Sequence, residues 1–165
     1  MEFRFCPACG GRVKERREEG EGKRSWECSR CGQVVWDNPV PSVVAVIEKE
    51  GKVLLAKRGR EPFKGYWDLV GGFLNPGESL EEGLRREIRE ELGVGVKRMR
   101  YLGSAATVYA GERVVGAIFK VEVESEDFKP ADDVVEVRWF DKRRLPKKLV
   151  PFADVRWGLG VGRGD

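Results

Sequence analysis

Between Asn75 and Gly93 the sequence reads NPGESLEEGLRREIREELG, and both ends of a helix are written into it. Asn-Pro-Gly makes a turn, Ser79 with Glu82 three residues on forms a capping box, and Gly93 closes the helix after Leu92. On a wheel of ~100° per residue, Leu80, Leu84, Ile88 and Leu92 form an apolar stripe that must face a core. Glu87, Glu90 and Glu91 gather on the adjoining sector. Glu91 falls angularly between Leu80 and Leu84, at the edge of the packed face, where a carboxylate loses solvation. The chain must therefore supply a layer for this helix to pack on and a reason for acidic groups to crowd at its border.

An ordinary explanation is a solvated helix braced by Arg85, Arg86 and Arg89, since like charges at i,i+3 and i,i+4 cost only a few tenths of a kcal/mol in water. Two details favour a ligand instead. Gly83 sits one turn before Glu87 and costs ~1 kcal/mol against Ala, which is expected to leave that surface open. The loop from Gly72 to Gly77 points backbone carbonyls toward the same end. Carboxylates and a carbonyl are hard oxygen ligands that suit Mg²⁺ or Mn²⁺, which usually arrive with phosphate. The chain has no histidine, so acid–base work falls to carboxylates, Lys, Tyr or Cys.

All four cysteines lie near the start, in Cys6-Pro-Ala-Cys9-Gly and Cys28-Ser-Arg-Cys31-Gly. Two C-x-x-C turns, each followed by Gly, match a four-cysteine zinc ribbon with Cys6, Cys9, Cys28 and Cys31 as ligands. Disulfides need an oxidising compartment, and a redox pair would sit beside a βαβ unit. With all four positions filled by protein, Zn²⁺ is structural. The polar stretch between the pairs reads as a hairpin with an exposed tip from Glu18 to Lys23.

The 165 residues suffice for one core and a small appendage. Apolar residues make up 41% and charged residues 36%, and the net charge is only +3. That balance excludes a disordered chain and does not demand a polyanionic partner. No apolar run approaches the ~18 residues of a membrane span, and the first residues lack a secretory signal. A cytoplasmic location without membrane contact is expected. The prolines in Trp36-Asp-Asn-Pro-Val-Pro41 set a boundary, giving a ribbon over 1–36 and a second domain over 37–165. Strands are expected at Ser42–Glu48, which reads as buried on both faces, and at Lys52–Arg58, Asp68–Val70, Arg100–Thr107, Val114–Val123 and Val134–Phe140. A last helix takes Phe152, Val155 and Leu159 as its stripe. Arg58, Arg60 and Lys64 can reach phosphates, and Tyr109 can stack on a base; Trp67 reads as core.

The loop and helix resemble the signature of the Nudix hydrolases: Gly72, five residues, Glu78, seven residues, then Arg86-Glu87-Ile88-x-Glu90-Glu91-x-Gly93-Val94. The resemblance implies an α/β/α sandwich with a mixed sheet, preceded here by the ribbon. It implies hydrolysis of a nucleoside diphosphate linked to another moiety. Glu87 and Glu91 would hold the divalent metals, Glu90 would ligand a metal or orient water, the Gly72 carbonyl would complete the site, and Arg86 would pair with Glu78. Either Glu87 or Glu90 would serve as base. Relatives often add a carboxylate before a late strand ending in Trp; Asp133, six residues before Trp139, holds that place, with Asp132 and Glu136 as rivals. A ribbon joined to such a domain is similar to the NADH pyrophosphatase branch. That branch carries a Ser-Gln-Pro-Trp-Pro-Phe-Pro-like segment where this chain has Ser104-Ala-Ala-Thr-Val-Tyr-Ala-Gly111, so the substrate stays open among NADH or NAD, ADP-ribose and similar nucleotides. Two alternatives remain: a zinc-ribbon adaptor that binds nucleic acid, and an enzyme that removes a nucleotide cap from RNA. A homodimer is compatible with all of them.

Overall fold

The computed structural model describes residues 3–17 and 24–161. The expected tip from Glu18 to Lys23 lies outside the described residues. By its internal contacts the chain divides into two units, Met1–Pro39 and Val40–Asp165.

In the first unit, strands β1 (Val13–Arg17), β2 (Arg24–Cys28) and β3 (Val34–Trp36) form an antiparallel sheet in that order. Trp26 is its largest buried side chain, with the Phe3 ring edge-on at 5.1 Å. Gly10 and Gly32 have φ of 72° and 73°, and their N–H groups donate to the carbonyls of Cys6 and Cys28. Each C-x-x-C turn thus closes through a left-handed residue, which favours glycine.

The second unit is built on a mixed sheet. Its strands are β4 (Val40–Lys49), β5 (Lys52–Arg58), β6 (Trp67–Asp68), β7 (Val70–Phe73), β8 (Val96–Tyr109), β9 (Glu112–Val123) and β10 (Val134–Asp141). The main order is β10-β5-β4-β9-β8, with β6 added to β5 and β7 to β4. Strand β4 is central. It runs parallel to β9 and antiparallel to β7 and β5.

That position explains the unbroken apolar run in β4, because both its faces are covered. Val43, Ala45 and Ile47 pack with Leu84, Ile88 and Leu92 of helix α1 (Leu80–Leu92). Val44 and Val46 pack on the other face with Phe152, Val155 and Leu159, around helix α2 (Ala153–Gly158). The result is the α/β/α sandwich. Helix α1 carries the full capping box of Ser79 and Glu82 and ends at Gly93 with φ 70°. Leu84, Ile88 and Leu92 are fully buried, each contributing roughly 1.5–3 kcal/mol. This is enough to offset the several kcal/mol of an acidic group drawn below the surface beside them.

Two local readings differ from the structure. The expected strand Asp68–Val70 is two strands with different partners, broken at Leu69. Gly83 does not leave an open surface. A Cβ there would stand 2.2 Å from the Leu74 Cδ2 atom, so the loop side chain lies directly on the helix.

Candidate active site and metal centre

A cavity of about 310 Å³ opens beside the N-terminal half of β4, where β7, α1, β8, the turn before β10 and α2 converge. Glu87, Glu90 and Glu91 line it from α1. Glu87 and Glu91 are 8% and 7% exposed, while Glu90 reaches solvent. The glycine at 72 allows this closeness: a Cβ there would lie 2.6 Å from Glu87 Oε1. Strand β7, paired with β4 through Gly71 and Gly72, brings bare backbone against the carboxylates.

Asp132 and Asp133 complete the acidic wall. The chain before them is tied to the end of α1, with Lys129 N–H donating to Leu92 O at 2.8 Å and Ala131 N–H to Glu91 O at 3.1 Å. Five carboxylates from two separate segments therefore face one space. Glu136 does not share it; it sits on β10 and pairs with Lys57 and Arg138.

Cations answer this charge unevenly. Arg86 grips Glu78 with two prongs, Nε to Oε1 at 2.7 Å and Nη2 to Oε2 at 2.9 Å. Its Nη1 reaches Glu87 at 2.7 Å and Glu90 at 2.9 Å, and Nη2 also donates to Phe73 O. Hydrogen bonding from Arg86 holds Glu78 down at about 2. Among the described residues Glu91 has no such partner. It accepts one bond, from Gly71 N–H at 3.1 Å. Burial pushes its carboxyl up to about 9 against that bond, and Glu87, Asp68 and Asp133 add to the rise. Burial likewise raises Glu87 despite Arg86. A buried carboxylate pair short of positive charge, beside a backbone free of side chains, fits a hard divalent cation.

The expected substrate contacts separate. Arg58 lines the cavity, half-buried, with Nη1 2.9 Å from Asp68 and Nη2 donating to Tyr109 O–H at 3.0 Å. Tyr109 lines the same wall, edge-on to Phe73 at 5.4 Å and tilted against Phe152 at 5.3 Å. Arg60 is exposed and engaged with Asp132 at 3.0 Å and Asp133 at 2.5 Å, the second contact lacking hydrogen-bond geometry. Lys64 is exposed and outside the cavity lining.

Sequence reasoning missed Asp68 and Asp154, both in the cavity wall and both more than nine-tenths buried. Burial raises Asp68 to about 6 even beside Arg58. Each is a lone acid inside an apolar run, Trp67-Asp-Leu-Val70 and Phe152-Ala-Asp-Val155. That was the available signal.

In the first unit the four cysteine sulfurs all lie within 4.8 Å of one another. Cys6 and Cys31 are 3.8 Å apart and Cys9 and Cys28 are 3.6 Å apart, beyond disulfide bonding. N–H groups of Gly11 and Arg30 point at the Cys9 and Cys28 sulfurs. Backbone donors from Cys31 and Arg30 lower Cys28 to about 6. The Gly11 N–H favours the Cys9 thiolate, but its sulfur neighbours Cys31 and Cys28 outweigh it and push Cys9 up to about 12. The four thiolates can coexist only around a cation, so the group fits a metal that takes sulfur ligands. Among the described residues, no helix is long and apolar enough to cross a membrane.

Residues 38–156 match the NUDIX domain. The chain is 29% identical over 145 residues to an NAD-capped RNA hydrolase, NudC, of Vibrio parahaemolyticus, covering 87% of this chain and 53% of that one. The chain thus spans about half the length of that relative. An ADP-ribose pyrophosphatase of Methanocaldococcus jannaschii is 39% identical over 112 residues, 67% of this chain and 66% of its own. A crystal structure of a NUDIX hydrolase from Nitrosomonas europaea superimposes with a TM-score of 0.73 at 31% identity, over 95% of this chain and 88% of that one.

Proposed function

This chain belongs to the NUDIX family, and from that membership we propose that it is a Mg²⁺- or Mn²⁺-dependent pyrophosphohydrolase. It cleaves a nucleoside diphosphate linked to another moiety and releases a nucleoside monophosphate. The observation that carries this is Glu91: a buried carboxylate with no Lys or Arg paired to it among the described residues, in a cavity shared with Glu87, Glu90, Asp132 and Asp133. The names of the relatives support substrates of the NAD and ADP-ribose type.

Glu87, Glu91 and the Gly72 carbonyl would hold the catalytic metals, with Asp133 as a further ligand. Such metals neutralise a pyrophosphate and make water more acidic. Glu90, at the solvent side of the cluster, is available to orient water or take its proton; Glu87 is the other candidate base. Water adds to one phosphorus, the bridging P–O bond breaks, and the proton passes to a carboxylate. Arg86 and Glu78 hold the loop against α1. Arg58 stands where it can meet a phosphate, and Tyr109 where it can pack on a base.

In the same reading, residues 1–36 form a ribbon around structural Zn²⁺, held by Cys6, Cys9, Cys28 and Cys31, and residues 37–165 form the hydrolase. The free thiols suit the reducing cytoplasm. A homodimer is supported by β8, a 14-residue strand at the sheet edge with Tyr101 and Val108 exposed. Light scattering tests it.

A second reading, nucleotide-capped RNA as the substrate, is favoured by the exposed rings of Phe5 and Trp36 in the first unit, with the Arg12 guanidinium 6.0 Å from the Phe5 ring. Bases stack on such rings. The deciding experiment is a panel of NADH, ADP-ribose, dinucleoside polyphosphates, nucleoside triphosphates and NAD-capped RNA with Mg²⁺ or Mn²⁺, products identified by mass spectrometry. If nothing in the panel is cleaved, the hydrolase reading fails; salt-sensitive RNA binding without cleavage points to an adaptor.

A further inference from the structure

The wall of the cavity on the α2 side carries polar groups with no part in the metal chemistry. Asp154 is 5% exposed, yet it lines the cavity. Its Oδ1 accepts the Val155 N–H at 2.9 Å, and among the described residues no Lys or Arg pairs with it. Its Oδ2 rests on bare backbone: a Cβ at Gly116 would lie 2.2 Å away. Ser42 is the β4 partner of Gly116. It is 7% exposed, lines the same cavity, and its hydroxyl has no hydrogen-bond partner among the described residues. Ser42 shares the face of β4 on which Val44 and Val46 pack against Phe152 and Val155.

A buried acceptor and a buried hydroxyl, both left short of partners, are costly unless a ligand satisfies them. A carboxylate asks for N–H or O–H donors and repels phosphate. Burial raises Asp154 against the opposing Val155 N–H bond, so the buried carboxylate still has room for a further donor. Close by, Tyr109 lies between the rings of Phe73 and Phe152, and Phe73 is 40% exposed. Aromatic rings of this kind take the flat face of a base. Arg58 is committed to Asp68 and Tyr109 and leaves Asp154 to the ligand.

We propose that Asp154 and Ser42 read the edge of the nucleobase, the carboxylate accepting from an exocyclic amino group and the hydroxyl donating to the unprotonated ring nitrogen beside it. Adenine presents that donor–acceptor order. Hypoxanthine reverses it, setting a carbonyl against the carboxylate. The inference rests on the pyrophosphohydrolase reading, and it names that enzyme's specificity residues for an adenine-type base.

The test compares wild type, Asp154→Asn and Ser42→Ala. Calorimetry with Mg²⁺ present measures binding of AMP, inosine 5′-monophosphate and 2′-deoxy-AMP. Kinetics compare ADP-ribose with its hypoxanthine counterpart. Thermal melting identifies which variants fold. Wild type is expected to favour the amino base by about tenfold or more, and each folded variant to reduce that preference to about twofold through KM rather than kcat. Asn can accept or donate, so Asp154→Asn should also bind the hypoxanthine ligand better than wild type does. An indifferent wild type, or an unchanged preference in a folded variant, overturns the proposal; Ser42→Ala keeps it testable if Asp154→Asn does not fold. A loss that follows the 2′-hydroxyl instead of the amino group overturns it in favour of ribose contact. If no phosphoanhydride is cleaved but the variants still lose the AMP preference, the hydrolase reading fails and the base subsite stands.

Discussion

Arg86 and Glu78 are joined by two parallel contacts of 2.7 and 2.9 Å across the junction of the loop and α1. The same guanidinium holds Glu87, Glu90 and the Phe73 carbonyl, so one side chain sets the position of the whole acidic face. Arg86→Lys keeps the charge and loses the fork. Its kcat/KM is expected to fall about 10²-fold, the scale of a misplacement near 1 Å, with only a small change in melting temperature. Steady-state kinetics beside a melting curve check this; near-normal turnover would show that the fork does not position the glutamates.

Glu91→Gln should abolish turnover in a folded protein. Retention of more than about a tenth of wild-type activity, a loss of barely ~1.4 kcal/mol, would remove Glu91 from the ligand set.

The same residue predicts a pH signature without added Mg²⁺ or Mn²⁺. Folding raises the Glu91 carboxyl from its usual 4.5 to about 9, so the folded state binds this proton more tightly than the unfolded one. The associated stability is complete below about pH 4.5 and drains away as pH climbs toward 9. Asp68 acts in the same sense up to about 6. Melting temperature should fall across this interval in wild type and fall less in Glu91→Gln. Adding Mn²⁺ at pH 8 should raise the wild-type midpoint and leave the variant nearly unmoved. A variant that matches wild type at every pH contradicts the assignment.

Cys28→Ser should release zinc and unfold the first unit. Structural zinc supplies about 10–16 kcal/mol of apparent folding energy in small peptides, far beyond what three short strands around Trp26 can replace. Elemental analysis should drop from one zinc per chain toward none, while a separate unfolding transition of the second unit persists. Unchanged zinc content removes the ribbon.

Arg58→Ala should destabilise the fold by roughly 3 kcal/mol, because it strands the buried Asp68 without its cation. Denaturant titration measures the loss. The deficit should grow above pH 6, where wild-type Asp68 is charged and paired with Arg58 while the variant must keep the proton or bury the charge alone. Arg58→Ala with Asp68→Asn should recover part of it.

Much of this molecule could be read before its fold was known. The capping box, the Leu84-Ile88-Leu92 stripe and the apolar β4 run each follow from local periodicity, and each packs as that periodicity requires. The cysteine spacing foretold four sulfurs in one place. Long-range pairing was not available in this way. Nothing local says that Asp68 would meet Arg58, or that Asp154 would be set over Gly116. Gly83 misled for a related reason. An absent side chain marks a close approach, but not whether a ligand or Leu74 makes it. Arg60 and Lys64 looked equivalent to Arg58 in a charged loop, and only burial separated them.

The parallel pairing of Val40–Ile47 with Val114–Val121 joins stretches some seventy residues apart. Such a pairing bears the entropy of a long loop before any contact rewards it, which slows folding. During synthesis the three glutamates of α1 leave the ribosome well before the strand that completes their scaffold. A nascent chain halted ahead of Val114 would already hold α1 with β4 and β7, yet lack both β9 and the Asp132–Asp133 wall that complete the site.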